Sequence, residues 1–245
     1  MRTPLIGANW KMDKAVHGTP SYFESFRPLV EHSDRREILI CPSFLDVEAS
    51  VAATSGTRIR IGAQNLYWEK KGAFTGEVSG PMIKMSGCSH VIVGHSERRR
   101  YFGETNESVF KKTVAALDAG LTPIVCVGES DRKKVEAVLK EQFRSGLGGL
   151  SSEQFAKIIL AHEPLWAIGS GEPATPQTAA DAHRFLRALA KDSFGADAAN
   201  NLRILYGGSV NPENAKNHLA QPEIDGFLVG GASLDPVSFA SIVNC

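Results

Sequence analysis

The stretch RILYGGSVNPENAKNHLAQPEIDGFLVGGASLDP (203–236) holds one pattern twice. A short β-rich run (RILY, then GFLV) ends in a glycine pair. An Asn-Pro or Asp-Pro step then opens a helical pattern, with proline at a first-turn position that needs no intrahelical N–H bond. Two such units in succession read as strand, loop, helix, strand, loop, helix. That alternation is the signature of a parallel sheet with helices as crossovers.

Moving outward, the same reading extends to the whole chain. Similar runs are PLIGAN (4–9), EILICP (37–42), RIRIGAQN (58–65), HVIVGH (90–95), PIVCVGE (123–129) and KIILAHE (157–163). Several are nearly continuously apolar, as strands buried on both faces are. Thr19-Pro20 opens a helical pattern over SYFESFRPLVEHS, which Pro28 is expected to bend or shorten. Asn106 begins another that stops at Gly120, and Thr175-Pro176 opens a third that stops at Gly195. Eight strand–helix units in 245 residues average roughly 30 residues each, the size of one βαβ repeat. The expectation is an α/β fold, a (β/α)₈ barrel, with residues 1–245 forming one domain. The rival doubly wound sheet usually carries a glycine-rich dinucleotide turn after its first strand. Here that strand ends in Asn9-Trp10-Lys11 instead.

Composition excludes several function classes. The formal net charge is zero, and the one short basic run, Arg98-Arg99-Arg100, reads as a solvated or ion-paired face, so no nucleic-acid partner is expected. No apolar run reaches membrane-spanning length, and the N-terminus has too short an apolar run for a signal peptide. The four cysteines, at 41, 88, 126 and 245, form no C-x-x-C pair and have no zinc-ligand spacing. These features point to a reducing, cytoplasmic setting, with no metal and no cofactor.

In a barrel of this kind the chemistry collects at the C-terminal strand ends and the loops after them. That rule selects Asn9 and Lys11, His95 with Ser96 and Glu97, Glu163, Gly207-Gly208-Ser209 and Gly230-Gly231. His17, His32, His183 and His218 fall outside it and read as structural. Glycine pairs let backbone N–H groups approach an anion, and barrels often grip phosphate after strands seven and eight. A carboxylate, a histidine and a lysine beside a phosphate grip suit proton abstraction next to the carbonyl of a small phosphorylated sugar.

The segments GANWKM (7–12), GAQN (62–65), GAFTGEVS (72–79), VIVGHSERR (91–99), FGE (102–104), YGGSV (206–210) and GFLVGGASL (226–234), together with Glu163-Pro164 and Trp166 to Gly169, share a further property. In order and spacing the chain resembles the triosephosphate isomerase family over essentially its whole length. The resemblance implies interconversion of D-glyceraldehyde 3-phosphate and dihydroxyacetone phosphate through an enediolate. It implies Glu163 as base, His95 as neutral electrophile, Lys11 as fixed positive charge with Asn9 beside it, and Glu97 as supporting carboxylate. Gly169, Gly171, Ser209, Gly230 and Gly231 would hold the phosphate, with PLWAIGSGE (164–172) as a closing lid. A homodimer is implied too, with Gln64, Thr75, Glu77 and Arg98 in or near the interface. The chain departs from the family pattern at Asp13, His162, Glu172 and Pro173; three of these flank the lid and are expected to alter its balance and the hydrogen bonding near Trp166. The rival readings are an isomerase of a phosphorylated four-carbon ketose, a silent phosphate-binding barrel, and a phosphate-binding barrel of amino-acid biosynthesis.

Overall fold

The computed structural model describes residues 2–14, 18–168 and 173–245. The eight strands are β1 (Leu5–Asn9), β2 (Glu37–Cys41), β3 (Ile59–Ala63), β4 (His90–Val93), β5 (Thr122–Val127), β6 (Ile159–His162), β7 (Arg203–Tyr206) and β8 (Gly226–Val229). They pair in parallel, in chain order, into a closed barrel. All eight expected strands form, and the two-faced burial inferred from their apolar runs has a direct cause. Alternate residues Leu5, Leu39, Cys41, Ile92, Ile124, Cys126, Ile159, Ala161, Leu205 and Leu228 pack with one another as one cluster. Their neighbours Ile6, Ala8, Ile38, Ile40, Val91, Val93, Val125, Leu160 and Val229 join the larger cluster that includes Phe23, Phe26, Phe143 and Phe239 of the surrounding helices. Seven of the strands are therefore apolar on both faces; β3 is the exception, where exposed Arg60 stands between buried Ile59 and Ile61 and keeps a period-two pattern.

The seam between β1 and β8 closes the barrel, with Leu5 opposite Gly226 and the Leu5 N–H donating to Asp225 O at 3.0 Å. Gly226 has φ 132°, and a Cβ there would lie 1.9 Å from Leu5 O. Any other residue would push the seam apart.

Around the barrel run α1 (Thr19–Val30), α2 (Val47–Ala53), α3 (Gly80–Met85), α4 (Ser96–Tyr101), α5 (Asn106–Asp118), α6 (Val135–Leu147), α7 (Ser152–Phe155), α8 (Pro176–Phe194), α9 (Ala196–Asn201), α10 (Pro212–Leu219) and α11 (Pro236–Val243). The proline starts read from sequence are real. Thr175, Asn211 and Asp235 each accept a backbone N–H three residues on, capping α8, α10 and α11. The first helix differs in detail. Thr19 is already helical, so Pro20 is its second residue, and the Thr19 hydroxyl donates to Asp46 Oδ1 at 2.8 Å instead of capping. Pro28 does not stop α1 at once. It lies in the last turn, two residues from the end at Val30, where the lost N–H costs only the bond to Glu24 O.

Candidate active site

The C-terminal strand ends converge on a cavity of about 240 Å³ lined by Asn9, Lys11, His95, Glu163, Ile168, Gly207 to Val210, Leu228 and Gly230 to Ala232. Every strand-end residue selected from the sequence except Glu97 and Ser96 lines it, and those two touch residues that do. Gly169 and Gly171, expected in the phosphate grip, lie outside the described residues, as does the departure at Glu172.

Glu163 follows β6 directly and is 2% exposed. Gly128, at the end of β5, makes room for it: a Cβ on Gly128 would sit 2.0 Å from Glu163 O. The carboxylate is fully engaged. Oε2 accepts from the Ser96 N–H at 3.0 Å, and Oε1 accepts from the Ser96 hydroxyl at 2.9 Å. His95 Nε2 lies 2.9 Å from the same Oε1. Burial alone would raise the Glu163 pKa, but the His95 ring and the two Ser96 donors outweigh it and hold the group below the usual carboxylate range. Beneath it, burial foremost and then the Glu163 charge keep the Cys126 thiol well above its ordinary range, so this sulfur packs and does not react.

His95 caps α4. Its Nδ1 accepts the Glu97 N–H at 3.3 Å, which leaves the proton of a neutral ring on Nε2, pointing at Glu163. Burial pulls the His95 pKa down, but the carboxylates of Glu163 and Glu97 push it up further, and the net direction is upward. Most of that push belongs to the docked position of Glu163. Burial and the α4 amide act the other way, and both favour the neutral ring.

Lys11 adopts φ 55°, an unusual backbone for a lysine. Its N–H donates to Asn9 Oδ1 at 3.1 Å, and Gln64 Nε2 donates to Lys11 O at 2.9 Å and to Cys41 O at 3.0 Å. The ammonium reaches Glu97 Oε1 at 2.6 Å. Lys11, Glu97, His95 and Glu163 thus form one line of alternating charge capacity across the mouth.

On the far side, the Ser209 hydroxyl donates to Ala167 O at 2.9 Å. Gly231–Ser233 forms a short 3₁₀ turn after β8, held to α1 by the Tyr22 hydroxyl donating to Ser233 O at 2.9 Å. The first N–H groups of such a turn have no acceptor within it. A Cβ on Gly230 would stand 3.3 Å from Lys11 Cε, so glycine brings this backbone against the lysine.

The residues expected at an interface sit on one flank of the mouth. Thr75 and Glu77 are in the exposed run 71–77, whose base is closed by the Tyr67 N–H donating to Val78 O at 2.8 Å. Arg98 and Lys112 both bond Glu104 Oε1, and Lys112 Nζ donates to Asn65 Oδ1 at 2.7 Å. The basic run is therefore not simply a solvated face. Arg98 is ion-paired, Arg99 braces the barrel by donating to Gly94 O at 2.9 Å and Asn106 Oδ1 at 2.7 Å, and Arg100 is the exposed member. Glu129 is a buried group that sequence reading passed over. It accepts from Trp166 Nε1 at 2.8 Å and pairs with His162 Nε2 at 3.1 Å.

A family model described as triosephosphate isomerase matches residues 4–245. A triosephosphate isomerase of Solibacter usitatus is 61% identical over the full length of both chains. One of Citrifermentans bemidjiense is 49% identical over 100% of this chain and 99% of its own. The crystal structure of triosephosphate isomerase from Bartonella henselae superposes with a TM-score of 0.88 at 36% identity, covering 99% of this chain and 98% of that one. With a family model matched over nearly its whole length, relatives identical at up to 61% and the same barrel, this chain belongs to the triosephosphate isomerase family.

Proposed function

We propose that this chain interconverts D-glyceraldehyde 3-phosphate and dihydroxyacetone phosphate, acting as one catalytic domain over residues 1–245. The observation that carries the reading is the approach of Glu163 to His95 at 2.9 Å inside a mouth that also holds Lys11, in a chain of this family.

Glu163 is the base that removes the carbon-bound proton and returns it to the neighbouring carbon. In the docked position both its oxygens are occupied by Ser96 and His95. It must leave Ser96 to act, and losing those donors restores its basicity. His95 donates from Nε2 to the substrate oxygen on which negative charge develops, and Lys11 adds fixed positive charge there. Asn9 and Gln64 hold the Lys11 backbone, and Glu97 holds its ammonium. Ser209 and the backbone at Gly230 and Gly231 receive the phosphate, with Gly169 and Gly171 as further members of that grip.

We further propose a homodimer and a cytoplasmic setting. Supporting the first is the exposed apolar flank bearing Met12, Phe44, Leu45, Phe74 and Met85. Supporting the second are four unpaired cysteines. Among the described residues, no helix is long and apolar enough to cross a membrane.

The test is isomerisation of D-glyceraldehyde 3-phosphate by the purified protein beside Glu163→Gln. Turnover should fall by roughly 10²–10⁴-fold in the variant, the usual worth of a general base. A folded wild type that binds phosphate but turns over only a tetrose phosphate, or neither sugar, would overturn the proposal.

A further inference from the structure

His218 reads from sequence as a structural histidine, yet its surroundings are not those of a passive core ring. It is 2% exposed and lies in the last turn of α10. Its Nδ1 is 3.1 Å from Asn214 O, and its Nε2 is 3.2 Å from Ala174 O. Both ring nitrogens face carbonyl oxygens, which only accept. A neutral imidazole has one N–H and can satisfy one of them; an imidazolium satisfies both.

The two carbonyls lie on different parts of the molecule. Asn214 O belongs to α10, and the Asn214 side chain donates from Nδ2 to Ser209 O at 3.0 Å. Ala174 follows the stretch that leads away from Glu163 and immediately precedes Thr175, the cap of α8. Ser209 in turn donates to Ala167 O at 2.9 Å. The unit formed by the β7 loop and α10 therefore holds that stretch at two points, Ala167 through Ser209 and Ala174 through His218.

We propose that His218 is a positioning residue for the phosphate side of the active site, anchoring Ala174 to the unit that carries Ser209. The proposal rests on the functional reading above for its link to substrate, but not for the bond itself.

Aromatic packing holds the ring in place. From β7, Tyr206 stacks on it at 4.6 Å, and from β8, Phe227 meets it edge-on at 6.5 Å. Among the described residues, no ion pair includes His218, so the two carbonyls are the polar contacts that place it.

Two measurements test this. The first is ring-nitrogen NMR of the ¹⁵N-labelled wild type, which reports which nitrogen carries the proton. His218 should carry a proton on Nε2. A ring that holds its only proton on Nδ1 leaves Ala174 unbonded and overturns the proposal. The second is the affinity for sulfate, a tetrahedral dianion, with His218→Leu and His218→Gln. The leucine variant should bind sulfate about fivefold more weakly and raise KM to match, with kcat within about twofold. Glutamine can donate to Ala174 O, so it should restore part of the affinity. Wild type and both variants with superimposable sulfate affinities would overturn it. If His218→Leu does not fold, the glutamine variant and the wild-type NMR still decide. If no triose phosphate is turned over, that failure belongs to the functional reading, and the sulfate and NMR results stand apart from it.

Discussion

Ser96 determines how tightly the Glu163 carboxylate is held in its docked position. It gives Glu163 two donors, one from backbone and one from its hydroxyl. A hydrogen bond to a charged group is worth about 1.5–3 kcal/mol. Ser96→Ala should therefore weaken the docked position, and the effect should depend on pH. Glu163 has its pKa depressed in the folded state. Its contribution to stability is present above the ordinary carboxylate range, about pH 4–5, and is lost as pH falls through the lowered folded value. His95 is raised by the same contact. Its contribution is present below about pH 6.5 and lost as pH rises through the raised value. Urea unfolding at a series of pH values should show Ser96→Ala losing part of the stability near neutrality and showing a shallower acid limb than wild type. Parallel limbs would mean that Ser96 does not hold the carboxylate in solution. Sequence reading found Glu163, His95, Lys11 and Glu97, because strand ends can be located from apolar runs. It named Ser96 only as a neighbour, since a separation of 67 positions from Glu163 leaves no local signal. Gln64 was read only as an interface residue, because nothing in GAQN says that its amide turns inward to the Lys11 carbonyl.

At the scale of one element, the end of β6 carries a buried network whose purpose is to seat the turn after Glu163. Glu129 bridges His162 and the indole of Trp166, the middle residue of the 3₁₀ turn Leu165–Ala167. The Leu165 N–H also donates to Glu129 O at 2.9 Å. His162 was expected to change the bonding near Trp166. In the structure His162 and the Trp166 indole bond the same Glu129 carboxylate. Side-chain exposures of 2% and 1% leave this pair no water to fall back on. Breaking a buried pair by deleting one partner costs about 3–5 kcal/mol. His162→Phe keeps the ring volume but leaves Glu129 short of a partner, and should lower unfolding stability by about 3 kcal/mol. The midpoint of urea unfolding, with Trp166 fluorescence as a local signal, measures it. An unchanged midpoint would show that the indole and backbone alone satisfy Glu129. The position of His162 could be read from its strand, but its partner could not. Glu129 ends PIVCVGE on β5, and only the registered pairing of Val127 with His162 brings the two together.

For the whole molecule, the repeated strand–glycine–proline pattern was enough to count eight units, because every barrel strand but β3 is apolar on both faces and each crossover helix needs its own start. What a single chain's pattern cannot state is which outer surface is covered. The large exposed apolar residues gather on the loops after β1 to β4: Met12 is 99% exposed, Leu45 81%, Met85 80% and Phe102 67%. Among the described residues, the opposite half of the barrel contributes only Val237 to that set. A one-sided apolar flank of this kind marks an interface, and the loop at residues 71–77 stands fully exposed beside it. The same flank carries Lys11 with its strained backbone and the α4 turn that follows His95. Covering it with a second copy would fix both catalytic groups without touching Glu163. Thr75→Arg places a charge on the exposed loop tip, where a monomer tolerates it and a packed interface does not. Sedimentation should show a dimer for wild type and a shift toward monomer for the variant. Turnover should fall on the order of a hundredfold, the loss expected when catalytic groups drift by about 1 Å, while circular dichroism stays that of a folded barrel. A variant that becomes monomeric with full activity would show that one chain orders Lys11 and His95 unaided. A wild type that sediments as a monomer would leave the apolar flank to some other partner.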